Sequence, residues 1–324
     1  MNYFMICLIK CSMKKIFSIL IFTLCLLYCI FRPRQMALAA ASGLSIWYHS
    51  VLPTLLPFSI LSGIMVCSGI YDSLSERIHP WFSKVYPVRA PLIYPLIAGF
   101  LFGFPLGSKI CADLYDADKI TAKEAEIISC ISNNFGPAFL YNYMVLSLNG
   151  GFLPGWMLLL ICYLPSLLIG RFALFSVQNP LPEKRSQKMP ASRSAISLKI
   201  IDDGIMNGFS TMIKLAGYIM LFAIAADFLK QLPLKNDLIL CICTGLLEIT
   251  NGIHLTANAT LSFHIKYLID IFIVSFGGIS GLFQTASMLR QLPFSLRHYA
   301  CFKFICAFLA TGLVELVCQI YAVN

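Results

Sequence analysis

Apolar runs as long as a membrane span recur along this chain, and four more are broken near their centres by glycine, proline and asparagine. The unbroken runs are Ile16–Phe31, Val51–Gly69, Phe152–Phe175, Met212–Leu229 and Cys301–Tyr321. Each is close to the ~20 residues that carry a helix across the ~30 Å of a bilayer's hydrocarbon. In water such surfaces would aggregate, so the chain reads as an all-α polytopic membrane protein with the lipid bilayer as its first partner. Hydrophobic residues fill 58% of the 324 positions and charged residues only 12%, about half of what a soluble domain uses to cover its surface.

The broken runs carry more information. Leu92–Tyr115 is cut by Gly103-Phe104-Pro105-Leu106-Gly107, and Thr121–Leu148 by Asn133-Asn134-Phe135-Gly136-Pro137. Leu238–Ser262 is cut by Thr250-Asn251-Gly252, and His264–Leu289 by Phe276-Gly277-Gly278-Ile279-Ser280-Gly281. Each flanking piece has about a dozen residues, too few to span at ~1.5 Å per residue. Broken backbone at membrane depth is tolerated only where protein or a water-filled cavity satisfies its polar groups. Breaks at corresponding places in two halves point to a transport site. Gly99, Gly107 and Gly136 find counterparts in Gly245, Gly252 and Gly278, and Leu44–Gly69 corresponds loosely with Ile205–Leu229, which reads as an internal duplication.

Charge placement sets the topology. The net charge of +9 lies in loops between apolar runs, which is orientation information rather than a nucleic-acid surface. If all four broken segments crossed the membrane, Lys184, Arg185, Lys188, Arg193 and Lys199 would lie opposite Lys10, Lys14 and Lys15. If Leu92–Tyr115 and Leu238–Ser262 are instead re-entrant hairpins, the N-terminus, the Tyr71–Ala90 loop, the basic linker and the Arg290–Arg297 loop share one face, as the positive-inside rule requires. The expected architecture is therefore an inverted repeat of two re-entrant hairpins and two broken transmembrane helices, with seven full spans and a cytoplasmic N-terminus. Residues 1–35 would be an N-terminal anchor span, 36–176 the first repeat, 177–199 a basic cytoplasmic linker and 200–324 the second repeat. Ile16–Phe31 also resembles a signal peptide, but Arg32, Pro33 and Arg34 directly after it suit a retained anchor better, and Met13 is an alternative start.

The thirteen cysteines form neither a disulfide framework nor a metal set, since none stands with a histidine at ligand spacing. His49, His79, His254, His264 and His298 lack nearby nucleophile motifs, and no phosphate-binding loop occurs. The expectation is a non-enzyme with no catalytic residues, no metal and no cofactor.

The order of hairpin, broken helix and span, repeated after a further span, resembles the concentrative nucleoside transporter architecture. The residues themselves look more like the "nucleoside recognition" or gate-domain group, and within it the sporulation integral membrane protein YlbJ family. The segments that carry this resemblance are Gly103–Lys109, Ser132–Pro137, Leu247–Gly252 and Ser275–Ser280, within a stretch from about Gly43 to Tyr321. The resemblance implies a role in endospore formation, in the cell membrane or a forespore membrane, and movement of a small spore metabolite, dipicolinate being the cargo proposed for the family. The chain lacks the full helix count of nucleoside transporters, so a nucleoside is the weaker alternative.

The residues expected to bind solute lie at the four breaks: Gly103, Pro105, Gly107, Ser108 and Lys109; Asn133, Asn134 and Gly136; Glu248, Thr250, Asn251 and Gly252; Gly277, Gly278, Ser280 and Gln284. Lys109, at a helix start where free N–H groups favour anions, suggests a small anionic solute, although it could equally pair with Asp113 one turn on. Each asparagine amide can donate and accept, towards solute or towards backbone. Glu248, if buried without partners, would be a proton-coupling group; otherwise it is a structural partner. Glycines at the last break allow close backbone approach or simple helix packing. Asp270 and Glu315 read as members of interhelical pairs with Lys266, Lys303 or a hydroxyl. A non-transporting membrane scaffold required for sporulation is the competing reading. A homo-oligomer is compatible with both, and no nucleic acid is expected.

Overall fold

The computed structural model describes residues 23–141, 144, 153–175, 197–234 and 236–323, and every described element is a helix or turn. Among the described residues, five helical segments are long and apolar enough to cross a membrane: Pro33–Ser68, Gly155–Leu174, Leu198–Lys230, Phe263–Met288 and Leu296–Ile320. A sixth span results if the pair Ile70–Val85 and Ala90–Phe102, bent by 88°, counts as one. The protein is thus a multi-pass integral membrane protein. Of the seven expected spans, the first is described only from residue 23, and the Thr121–Leu148 span only in part. Most of the basic linker lies outside the described residues.

The first described span, α1 (Pro33–Ser68), is longer than the sequence suggests, because the alanine-rich segment before Gly43 continues the helix instead of ending it. Within it, Trp47–Val51 forms a π turn, the Leu52 N–H reaching back to the Trp47 carbonyl. The turn sits directly before Pro53, which has no N–H to give. The Thr54 hydroxyl donates to the Ser50 carbonyl at 2.6 Å. An amphipathic helix, α2 (Ile70–Val85), follows Gly69, whose φ of +72° makes the turn possible.

Each half then carries one tight helical hairpin. The first pairs α3 (Ile93–Phe102) with α4 (Leu106–Asp116) and is followed by α5 (Ala122–Ser132), the break at Asn133–Gly136, and the short α6 (Pro137–Leu140). After α7 (Gly155–Phe175) and α8 (Leu198–Lys230), the second hairpin pairs α9 (Asp237–Leu247) with α10 (Ile249–Asn258). It is followed by α11 (Phe263–Phe276), the break at Gly277, α12 (Gly278–Met288) and α13 (Leu296–Val323).

Small residues set how closely these helices approach, as they do where lipid removes the hydrophobic drive between helices. In the first hairpin a side chain on Gly107 would press on the Gly99 Cα and on Ser132 of α5. In the second, a side chain on Gly252 would run into the Gly245 backbone, and one on Gly245 into Ile273 of α11. Each hairpin therefore crosses on a glycine pair and rests on the first half of the broken helix behind it. Gly204 and Gly208 similarly let α8 lie against Ile60 and Ile64 of α1.

Helix ends are capped where the chain must turn outside the core. Thr121 and Glu124 form a reciprocal capping box at the start of α5, and the buried Glu124 also holds Arg89 at 2.5–2.6 Å. Ser197 caps α8, Asn236 caps α9 and Ser262 caps α11.

Candidate functional site

The four breaks converge. A cavity of about 230 Å³ is lined by Pro105 from the first hairpin tip, Gly136 from the first broken helix, Glu248 and Thr250 from the second hairpin tip, and Gly277, Ser280, Gly281 and Gln284 from the second broken helix. His49, Ser50 and Thr54 at the π turn of α1 close one side, and Leu215 and Ile219 of α8 another. Phe102, Phe104, Phe135 and Phe139 supply an aromatic wall.

The first tip is shaped by Gly103, whose φ is +86°. It packs so tightly on Gly136 that any side chain there would strike the Gly136 amide. The Phe104 N–H donates to the Asn134 carbonyl at 2.7 Å, fastening the hairpin tip to the break in α5–α6. The Phe104 ring then reaches across the cavity towards Gly281, where an added Cβ would sit 3.3 Å from its edge. Phe104 and Phe135 stand 5.5 Å apart, and Phe135 stacks on Phe139 at 4.3 Å. Phe276, by contrast, faces away from the cavity and packs on Phe304.

The second tip is built around a carboxylate. Glu248 accepts from the backbone N–H groups of Thr250 and Asn251 at 3.2 and 2.8 Å, from the Thr250 hydroxyl at 2.6 Å and from the Asn251 amide at 2.8 Å. It thereby caps α10 and satisfies the positive end of that helix. Asn251 in turn accepts from Lys230 at 2.9 Å. Glu248 is thus a well-partnered acid whose oxygens are taken up by the start of its own helix. Across the cavity, α4 starts at Pro105 and α12 at Gly277 with no side-chain cap. The partial positive charge of these two helix ends is not offset by any side-chain cap.

Not every residue expected at the site faces it. Lys109 is buried and makes a 2.5 Å ion pair with Asp113, one turn along α4, and neither lines the cavity. Ser108 is fully buried with no hydrogen-bond partner. Gly107 and Gly252 sit at the hairpin crossings, and Gly278 approaches Ile249. Asn133 and Asn134 lie behind the cavity in a polar network. Asn133 donates to Thr285 at 2.7 Å and to the Tyr299 hydroxyl at 2.8 Å. Asn134 donates to the Ile131 carbonyl at 2.7 Å and to Ser166 at 3.2 Å, and accepts from Lys303 at 3.0 Å.

Several contributors escape a reading of the sequence. His49, Ser50 and Thr54 interrupt the first apolar stretch, and Pro53 beside them is the signal that the helix is irregular there. Lys303, Tyr299 and Thr285 join the break only through tertiary packing, and nothing in their local sequence marks them. Among the described residues no cluster of three or more histidine, cysteine, aspartate or glutamate side chains could hold a metal ion.

Over 305 aligned residues the chain is 26% identical to the sporulation integral membrane protein YlbJ of Bacillus subtilis (strain 168), with 83% of this chain and 74% of that protein covered. The similarity supports membership of the family that the motifs resemble. No family model matches the chain. No solved structure matches it either.

Proposed function

We propose, with its likeness to the YlbJ sporulation proteins as the premise, that this chain is a transporter or facilitator that moves a small polar or anionic solute across a membrane during endospore formation. The observation that carries this reading is the convergence of all four breaks on one cavity. Its volume of about 230 Å³ is below the ~300 Å³ at which pockets for drug-sized ligands begin. A small planar metabolite with polar ends suits it: phenylalanine faces for the ring, and the uncapped starts of α4 and α12 with Ser280 and Gln284 for the polar groups. Dipicolinate, the cargo suggested for this family, has that chemistry.

The two halves then form an inverted repeat. In each, a hairpin crossing on two glycines rests on the first half of a broken helix, Gly99 and Gly107 on Ser132, Gly245 and Gly252 beside Ile273. A rocking motion of one hairpin against the other would open the cavity to alternate faces. In this reading the protein is a non-enzyme.

The competing scaffold reading predicts that the cavity carries no flux. Purified protein in liposomes, tested for uptake of labelled dipicolinate against empty vesicles, separates the two. Gln284→Leu removes a cavity amide while keeping bulk, and should lower uptake about five- to tenfold, the worth of roughly one hydrogen bond. Vesicles that take up no more dipicolinate than protein-free controls would sink this cargo, and absence of flux for every small anion tried would sink transport.

A further inference from the structure

Asp270 lies in the middle of α11, fully buried, and among the buried carboxyls of the described residues it is the one whose two oxygens both lack a hydrogen bond of ordinary geometry. Its surroundings come from three elements. Cys241 on α9 and Thr256 on α10 face it from the two arms of the second hairpin, and Lys266 and Tyr267 lie one turn back on its own helix. None of these neutralises it by contact. The Thr256 hydroxyl is committed to the Gly252 carbonyl at 2.9 Å, and the Lys266 ammonium to the Ala257 carbonyl at 2.9 Å. Cys241 itself belongs to an apolar cluster with Ile269 and Ile273, against which Leu255, Ala259 and Leu261 pack.

A carboxylate stripped of water, with only the Thr256 hydroxyl nearby as a donor and that one shared with the Gly252 carbonyl, is costly to bury, and an ionisable group inside a membrane protein is a functional candidate by default. We propose that Asp270 is a proton-binding site that couples the seating of the second hairpin to the proton gradient. With its proton, the neutral carboxyl lets α9 and α10 rest on α11 as they do here. Without it, the charge demands water, and the hairpin lifts to admit it. This deepens the transport reading and rests on it for its physiological meaning, because a hairpin that lifts and seats is the moving part of that cycle. It also assigns the coupling role away from Glu248, whose oxygens already accept four hydrogen bonds at the start of α10.

Cys241 reports the motion, since it is buried under the hairpin with only 1% of its surface exposed. The full chain, with its other cysteines replaced by serine or alanine and reconstituted in liposomes, would be treated with a membrane-permeant maleimide from neutral to alkaline pH. The same is done for Asp270→Asn, which cannot lose a proton; removing the carboxylate beside the thiol makes Cys241 ionise more readily, not less, so an alkaline rise confined to the unchanged chain reports the motion rather than the thiol. Cys241 should gain a steep alkaline rise in labelling that is absent from the asparagine variant. Where Asp270→Asn fails to fold by gel filtration, Asp270→Glu serves instead and should keep the rise at a displaced midpoint. An infrared band of a neutral carboxylic acid, lost in Asp270→Asn, is the second expected result. Identical labelling profiles with and without the Asp270→Asn change, or an Asp270→Glu profile with no alkaline rise, would overturn the proposal. Pulse uptake of dipicolinate driven by an imposed pH gradient keeps the two readings apart. A pH-dependent Cys241 without flux removes transport alone, and flux with a pH-independent Cys241 removes the proton site alone.

Discussion

The ammonium of Lys303 donates to Oδ1 of Asn134 at 3.0 Å across 169 residues of sequence, tying the last span to the break in the first half. Asn134 spends its own amide on the Ile131 carbonyl, which α5 leaves free as it ends, and on Ser166 of α7. A cation at this position also faces the negative end of α5, where the helix dipole favours it.

Lys303→Met keeps most of the side chain's volume and removes the donor. It should cost about 1–3 kcal/mol, the penalty for leaving a buried acceptor unsatisfied. Lys303→Gln retains an N–H and should cost less. Thermal unfolding in detergent micelles orders the three proteins, and equal midpoints for wild type and Lys303→Met would show that the contact contributes nothing.

The hairpin crossings give a sharp contrast between two glycines. Gly252→Ala drives a methyl group into the Gly245 backbone, where nothing can yield, and should prevent the second hairpin from closing. Gly217→Ala, on α8, meets nothing within 4 Å. That change should be neutral or stabilise by up to ~1 kcal/mol through helix propensity. Yield of monodisperse protein after extraction measures both.

Lys109 offers a test of what a charge near a hairpin tip is for. Its pairing with Asp113 predicts that Lys109→Met destabilises by about 2–3 kcal/mol, somewhat below a fully buried pair because Asp113 keeps 19% of its side chain exposed. Adding Asp113→Leu should recover most of that loss. A stable Lys109→Met protein that has lost anion flux would instead return Lys109 to the solute path.

Topology is testable outside the described residues. A single cysteine at Lys184 should label only from the cytoplasmic side and one at Lys235 only from the opposite side, following the charge distribution. Labelling of position 184 from outside would reverse the orientation.

The sequence alone determined the class of protein and the places where its helices fail. Apolar runs of span length leave only a bilayer as solvent, and Gly103-Phe104-Pro105, Asn133-Asn134-Phe135-Gly136-Pro137 and Gly277-Gly278 cannot continue a regular helix at low cost. These are local properties, set by backbone freedom and by hydrophobicity summed over a window. The break expected at Thr250-Asn251-Gly252 falls instead at Glu248, whose carboxylate caps α10, and those three residues lie in that helix's first turns. Only the tertiary structure decided which of the residues at the breaks share a cavity. Lys109 and Glu248 look alike in sequence, each a lone charge beside a break, yet Lys109 turns back onto Asp113 while Glu248 caps its helix at the cavity wall. Asp270 and Lys303, which by composition suggest two members of ion pairs, lie in separate surroundings, one with neither oxygen in a hydrogen bond of ordinary geometry and the other on an asparagine. The reason is physical: a buried charge is satisfied by whatever the fold brings within about 3 Å, which for Lys109 and Glu248 is a neighbour on the same helix but for Lys303 is Asn134, 169 residues away and brought there only by helix packing.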